Sequence, residues 1–494
     1  MANSNPGSES SRSIPARRRW LFRCGAVLAG LSLFVVIEIA CRLTGIGKPR
    51  ELDDPFVGFS EQQPLFELNE SGDRYEIPKA RRKFFNEDSF AVSKPPGTFR
   101  IFCLGGSTVQ GRPFQKETSF TTFLELGLNA TDSSRDWEVI NCGGISYASY
   151  RLAPILEECL DYEPDLIILC TGHNEFLEER SYGHLRNVAP LAAAPMKAAF
   201  QLHSFHAARN LFVSEADDPA QRRSHLGPDV QARLDFRNGL DAYERDDGWR
   251  AGVIRHFEFN VNRLLQTAKR AGVPMLVVLP PSNLADTPPF KSLPRSGMTE
   301  SKLAEHSSLL EKARRLQKTD RYGAVAALES SLKIDDRQAA VHYQLGRLLE
   351  SLGETSRARE SFVLARDHDI CPLRILSPME ESLKAAADRW QVPLLDAHKL
   401  FEKKTDEVIL GSAWLVDHVH PSVDGHQQIA LALIEKLARE NLARLNGNWR
   451  TEASAAMRIH VDAIPDVYFL KGEQRLQNLR AWTRGLVEPT DTSQ

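Results

Sequence analysis

Five short apolar runs alternate with helical patterns from Arg100 onward, and that alternation limits the fold more than any other feature of the chain. The runs are Arg100 to Leu104 (RIFCL), Trp137 to Ile140 (WEVI), Asp165 to Cys170 (DLIILC), Pro274 to Leu279 (PMLVVL) and Val392 to Leu395 (VPLL). Mostly apolar runs of this length suit strands covered on both faces. Strands separated by helices predict a parallel sheet with right-handed crossovers, with active residues at the carboxyl ends of the strands.

Charge and cysteine usage narrow the chemistry. Among 494 residues, 62 Lys and Arg stand against 65 Asp and Glu, and no basic block lies beyond the extreme N-terminus. The chain therefore lacks an electrostatic footprint for nucleic acid. Seven cysteines are scattered without a C-x-x-C pair or a nearby His at ligand spacing, so neither a disulfide framework nor a zinc site is expected. Cys103 and Cys170 fall within apolar runs and read as small buried hydrophobes.

The N-terminus reads as a signal-anchor. Residues 1–20 form a basic cytoplasmic segment ending in Arg17, Arg18 and Arg19, and residues 21–43 form the transmembrane segment. Its uninterrupted apolar stretch, Gly25 to Ile37, is shorter than the about 20 residues a span needs. Arg23 and Arg42 can snorkel at its ends; Glu38 is the residue that fits poorly. The positive-inside bias places the body outside the cytoplasm, in the periplasm or at the cell surface. A cleaved signal is the alternative. Ile39-Ala40-Cys41 is a poor lipoprotein site because Glu38 stands where an apolar residue is needed.

Residues 44–97, rich in Pro, Asp and Asn, read as an irregular lead-in. The sheet domain is expected over 98–300 and 373–446, with a C-terminal extension at 447–494. Ser181 to Gly248 is a long mixed segment, either a lid or an ordinary insertion. Within 301–372, Leu345-Gly346, Ala358, Phe362 and Ala365 fall at tetratricopeptide spacings, with Ala324, Leu328 and Ser331 34 residues before Ala358, Phe362 and Ala365. Two such helix pairs are too few to stand alone and are expected to dock on the sheet domain, their groove either binding a protein partner or packing.

The chemistry is carried by four loops. Gly105-Gly106-Ser107-Thr108 follows the first strand, with Val109 to Phe123 able to supply a helix, so Ser107 stands at a strand-to-helix turn. No Gly-Lys-Ser/Thr follows, which excludes a P-loop, and Val109 breaks the G-x-S-x-G elbow of α/β-hydrolases. Asp417-His418-Val419-His420-Pro421 supplies an imidazole to take the serine proton and a carboxylate to orient it. His420 is favoured over His418, whose neighbour Asp417 is too close in sequence to orient it easily. By itself this D-x-x-H also fits a helix-capping Asp beside a surface His, or a pair of metal ligands. Asn141-Cys142-Gly143-Gly144 offers a glycine N–H for an oxyanion, and Gly172-His173-Asn174-Glu175 offers the Asn174 amide.

GGST, NCGG, GHNE and DHVHP, in this order, resemble the four sequence blocks of the SGNH (GDSL-type) hydrolases. The resemblance covers roughly 98–180, 250–290 and 374–445, and implies a flavodoxin-like, three-layer α/β/α fold. It implies Ser107 as nucleophile, Asp417 and His420 as the rest of a triad, and the N–H groups of Ser107 and Gly143 with the Asn174 side chain as the oxyanion hole. Gly144 is the alternative to Gly143. Gly106 stands where the family usually has Asp, and Glu175 stands where it usually has Asp.

The resemblance therefore implies a serine esterase acting on a small ester or an acylated carbohydrate, with no metal or organic cofactor. One alternative is an O-acyltransferase using the same groups on an exported polysaccharide. The other is a non-catalytic adaptor whose working surface is the repeat segment.

Overall fold

The computed structural model describes residues 54–182 and 224–485 apart from positions 62, 237 and 405–408, with part of 30–46 and positions 202, 204 and 207. The chain divides into two units, Met1–Pro55 with Gly183–Arg223, and Phe56–Tyr182 with Ser224–Gln494. In the first, residues 32–44 are helical. Glu38 is met within that unit by the Ser204 N–H at 2.9 Å, the Ser204 hydroxyl at 2.6 Å and Arg42 Nε at 2.7 Å. Among the described residues no helix is long and apolar enough to cross a membrane. Residues 21–29 of the expected anchor, and 183–201 and 208–223 of the expected insertion, lie outside the described residues.

In the second unit the lead-in departs from the irregular segment expected. It holds β1 (Val57–Phe59), β2 (Glu67–Leu68), β3 (Arg74–Glu76) and β4 (Ser89–Ala91), the last three forming an antiparallel sheet. Strands of two or three residues are too short to display any alternation, so sequence periodicity passes over them.

The expected parallel sheet follows. β5 (Thr98–Gly105), β6 (Asp136–Gly143) and β7 (Leu166–Cys170) come first; β8 (Ser224–Leu226) returns to pair with β1, and β9 (Met275–Leu279) and β10 (Leu394–Asp396) complete it. Its order is β10-β9-β7-β5-β6, parallel throughout. From β5 the chain goes to one side to make β6, then crosses to the other to make β7. Strand order thus reverses at β5, where ligands of open α/β sheets gather beyond the carboxyl ends.

Both faces of the sheet are covered. Ile101 and Cys103 of β5 join one cluster with α2 (Phe120–Thr131), α11 (Val423–Arg439) and α12 (Trp449–Asp462), the intervening helices being given below. Phe102 faces the other way, onto Phe66 and Phe90 of the lead-in. Arg100 is fully buried in β5 yet fully paired: Nε donates to Glu138 Oε2 at 2.6 Å on the adjacent strand, and its other nitrogens donate to the carbonyls of Tyr162 and Ala91. It therefore ties the small lead-in sheet to the main one. Cys103 and Cys170 are buried thiols, as expected.

On the second face lie α3 (Ser149–Cys159) and α4 (Asp247–Arg270). Arg151 of α3 holds Glu178 in a two-pronged pair, Nε to Oε2 and Nη2 to Oε1, both at 2.6 Å with each side chain 3% exposed. Removing one member of a buried pair strands the other's charge. Glu178→Ala is accordingly expected to cost about 3–5 kcal/mol of stability, read as a lowered midpoint in urea unfolding.

Between β9 and β10 the chain inserts four helices, α5 (Glu300–Leu316), α6 (Arg321–Ile334), α7 (Ala339–Ser351) and α8 (Thr355–Asp367), packed as two pairs, before α9 (Ser377–Trp390). Ala324, Leu328, Leu345, Ala358, Phe362 and Ala365 are all buried there. After β10 come α10 (Ala397–Glu402), α11, α12 and α13 (Asp466–Trp482).

Candidate active site

The site is assembled at the carboxyl end of β5. Gly105 closes the strand, Gly106 precedes the helix in extended conformation, and Ser107 opens α1 (Ser107–Gln110). This helix is a single turn that stops at Gly111, φ +98°, not the Val109 to Phe123 helix expected. A four-residue turn has almost no macrodipole, so any oxyanion stabilisation here comes from individual N–H groups. A side chain at 106 would place its Cβ 2.5 Å from Asn174 Nδ2. That contact puts the Asn174 amide beside the serine turn.

The histidine arrives from the far end of the chain. Residues 415–421 form a loop closed by an isolated bridge between Leu415 and Pro421 and by the Val416 N–H on the His420 carbonyl at 2.9 Å. Ser422 then caps α11, accepting from the Gly425 N–H at 3.1 Å. The loop points His420 Nε2 at Ser107 Oγ, 2.7 Å away, and His420 Nδ1 at Asp417 Oδ2, also 2.7 Å away. Asp417 Oδ1 accepts the backbone N–H groups of Val419 and His420 at 2.9 and 2.8 Å. One carboxylate thus shapes its own loop with one oxygen and holds the imidazole with the other.

His418, the competing base, does not reach Ser107. It lies against Phe290 and edge-on to His420, with Nδ1 3.7 Å from Asp417 Oδ1. Burial pushes His418 down to about 4, helped by His420 and opposed by Asp417. Burial acts to raise Asp417, but the neighbouring charges of His420 and His418 and the hydrogen bonds from His420 prevail, holding it well below the usual carboxylate range.

The glycine donors expected for an oxyanion need correction. Asn141 to Gly143 lie inside β6, not in a loop after it. The Gly143 N–H donates to Asn141 Oδ1 at 3.0 Å, and the Gly144 N–H donates to the Gly105 carbonyl at 3.0 Å. Neither is open to a substrate. Gly143 is glycine for a steric reason, since a Cβ there would lie 2.1 Å from the Gln110 nitrogen. Two residues on from Gly144, Ser146 adopts φ +63°, and its N–H has no acceptor among the described residues. Its neighbour Tyr147 accepts from Asn174 Nδ2 at 3.0 Å, which keeps this loop beside Gly106.

Other residues near the site were missing from the sequence reading or held another role there. His173 is buried, with Nδ1 accepting from the Ile375 N–H at 3.1 Å and Nε2 without a protein partner among the described residues. Glu175 caps α3 through the Ser149 N–H and hydroxyl at 2.7 and 3.0 Å, a structural role. Arg374 is 2% exposed and donates to the carbonyls of Asn283 and Thr287, so it is an interior strut, not a surface arginine. The C-terminal α13 covers the loop after α1, where Arg475 donates to the Pro113 carbonyl at 2.9 Å. Asn283, beyond β9, bonds the backbone of the Asp417 loop; a polar Ser-Asn at the end of an apolar strand was the available signal.

A buried neutral histidine contributes less stability as pH falls. Burial, with a smaller contribution from His420, lowers His426 from 6.5 to about 3. Above pH 6.5 its ring is neutral folded or unfolded. Between there and about 3, only the unfolded ring takes up a proton, so stability is lost as pH falls. His418, lowered to about 4, acts in the same direction over this range, and Asp417 does so only below its ordinary value of 3.8. Glu125 and Asp369, raised by burial to about 7 and about 6, act the other way. The contribution of the His426 ring is therefore expected to show as a smaller loss of urea-unfolding free energy from pH 7 to pH 4 in His426→Gln than in the unsubstituted chain, and an equal loss in the two would contradict the buried neutral ring.

No family model matches the chain, and no curated protein matches it. Among solved structures it is similar to LAE5, an alpha/beta hydrolase enzyme from the metagenome of Lake Arreo, at 14% identity and a TM-score of 0.32, over 70% of this chain and 96% of that one. It is also similar to a lipase/acylhydrolase from Enterococcus faecalis, at 10% identity and a TM-score of 0.31, over 70% of this chain and 98% of that one. A variant of Axe2, an acetyl xylan esterase from Geobacillus stearothermophilus, gives 13% identity and a TM-score of 0.31, over 71% of this chain and 97% of that one. Likeness at this level carries no weight for activity; the geometry at Ser107 does.

Proposed function

We propose that the chain is a serine hydrolase of the SGNH type that cleaves carboxylic ester bonds. The observation that carries this reading is the unbroken hydrogen-bonded series Ser107 Oγ, His420, Asp417, with both links at 2.7 Å. His420 Nε2 takes the Ser107 proton as Oγ attacks the ester carbonyl. Asp417 holds the Nδ1 proton in place and stabilises the imidazolium. The N–H groups of Ser107 and Ser146 and the Asn174 amide are the donors for the oxyanion, Ser146 taking the part first given to Gly143. His420 returns the proton to the departing alcohol, and water, activated by the same imidazole, releases the acid.

The substrate class is a small ester or an acylated carbohydrate. The basic residues before position 21 and the apolar run after them support a body held outside the cytoplasm by a signal-anchor. The full chain is expected to turn over short-chain aryl esters, and a fluorophosphonate is expected to add to Ser107 alone, seen as a single mass shift on the peptide that contains it. A folded chain that neither hydrolyses these esters nor takes the label at Ser107 would overturn the reading.

A further inference from the structure

We propose that the four-helix insertion is an internal brace which, through Asn283, fixes the loop carrying Asp417 and His420. The inference rests on the reading of Ser107, His420 and Asp417 as the reacting groups. It gives α6 and α7 a role inside the molecule, where a partner-binding groove was the alternative.

Asn283 is 2% exposed and uses every polar atom. Its N–H donates to the His418 carbonyl at 3.0 Å, and its Nδ2 donates to the Asp417 carbonyl at 3.2 Å and to Ser412 Oγ at 3.3 Å. Its Oδ1 accepts from the Asp286 N–H at 2.9 Å, and its carbonyl accepts from Arg374 at 2.7 Å. Two of these bonds hold consecutive peptide groups immediately before His420. A buried side chain with all its bonds made has one orientation, and it passes that orientation on to what it holds.

The residues after Asn283 tie the same loop to the insertion. The N–H groups of Leu284 and Ala285 both donate to the Leu410 carbonyl, and the Ser412 N–H donates to Asp286 Oδ2 at 2.9 Å. Leu284, Ala285 and Ile409 bury their side chains in one apolar cluster with Val325 and Leu328 of α6 and Val341 and Leu345 of α7. Tyr343 of α7 donates to the Ala285 carbonyl at 2.8 Å, and Arg347 lies 3.7 Å from Asp286. Helices α6 and α7 thus grip 284–286, and 283–286 grip the segment from Leu410 to His418 that leads into His420.

A misplacement of about 1 Å at reacting groups costs on the order of a hundredfold in rate, so a brace of this kind acts on kcat more than on KM. Four full-chain variants test it: Asn283→Ala, Tyr343→Phe with Arg347→Ala, the combination of all three, and Tyr322→Ala, which alters an exposed side chain of α6. Aryl-ester kinetics and the NMR resonance of the His420 Nδ1 proton are followed in each. Asn283→Ala is expected to lower kcat by roughly ten- to a hundredfold with KM little changed, and to shift the Nδ1 proton. The α7 pair is expected to lower kcat by about three- to tenfold and shift the proton in the same direction, but to add less than about twofold in the Asn283→Ala background, because the two act in series.

Tyr322→Ala is expected to change neither. If Asn283→Ala does not fold, Tyr343→Phe, which removes one hydroxyl, carries the test. Variants of α7 that lower thermal stability but leave kcat and the Nδ1 proton untouched would overturn the brace, as would effects that multiply independently. A proton shift in a chain that shows no ester turnover would keep the brace and overturn the hydrolase reading.

Discussion

Ester hydrolysis by the Ser107→Ala chain is expected to fall by at least about a thousandfold in kcat, because in the proposed mechanism the group that forms the acyl bond is gone and only binding and oxyanion donors remain. The loss is not one of folding. Ser107 Oγ is bonded to His420 Nε2, and leaving that one nitrogen unpaired costs about 1–3 kcal/mol, which a stable domain tolerates. Kinetics on aryl esters, with a melting curve beside them, separate the two effects. Turnover that survives the substitution would move the nucleophile elsewhere.

Asp417→Asn is expected to be comparably damaging, by roughly ten-thousandfold in kcat, although the side chain keeps its size. The geometry gives the reason. Oδ1 accepts two backbone N–H groups, from Val419 and His420, so the amide oxygen of the variant must take that place. Its NH2 then faces His420 Nδ1, where Oδ2 now stands at 2.7 Å. A donor there forces the imidazole proton onto Nε2, and the base points a hydrogen at the serine in place of a lone pair. KM is expected to change little. A variant that retains wild-type kcat would show that the carboxylate serves only to shape the loop.

Much of this site could be read before any coordinates. Ser107 lies in a local motif at a strand end, recognisable because an apolar run stops at glycine, and Asp417 and His420 lie in one just before a helix. The choice of His420 over His418 was also legible, since a carboxylate three residues away in a loop can fold back onto a ring and an adjacent one cannot easily do so. The glycine donors were not legible. Gly143 and Gly144 look like an open turn, but their N–H groups go to the Asn141 side chain and the Gly105 carbonyl. Both glycines are required by packing, Gly143 against α1 and Gly144 against the Tyr147 ring, and a motif cannot distinguish a glycine that admits substrate from one that admits its own chain.

Sequence alone determined the kind of layer this chain builds and which side chains are candidates for its chemistry, because hydrophobic periodicity and functional-group chemistry are local properties. Tertiary structure decided everything that depends on which distant residues meet. It brought His420 across more than 300 positions to Ser107, set α13 over the loop after α1, and turned α6 and α7 onto the loop at 284–286. Buried polar atoms must find partners or lose free energy comparable to a hydrogen bond. Those partners are chosen by the packed interior as a whole, so residues such as Asn283 show their purpose only once the chain is folded.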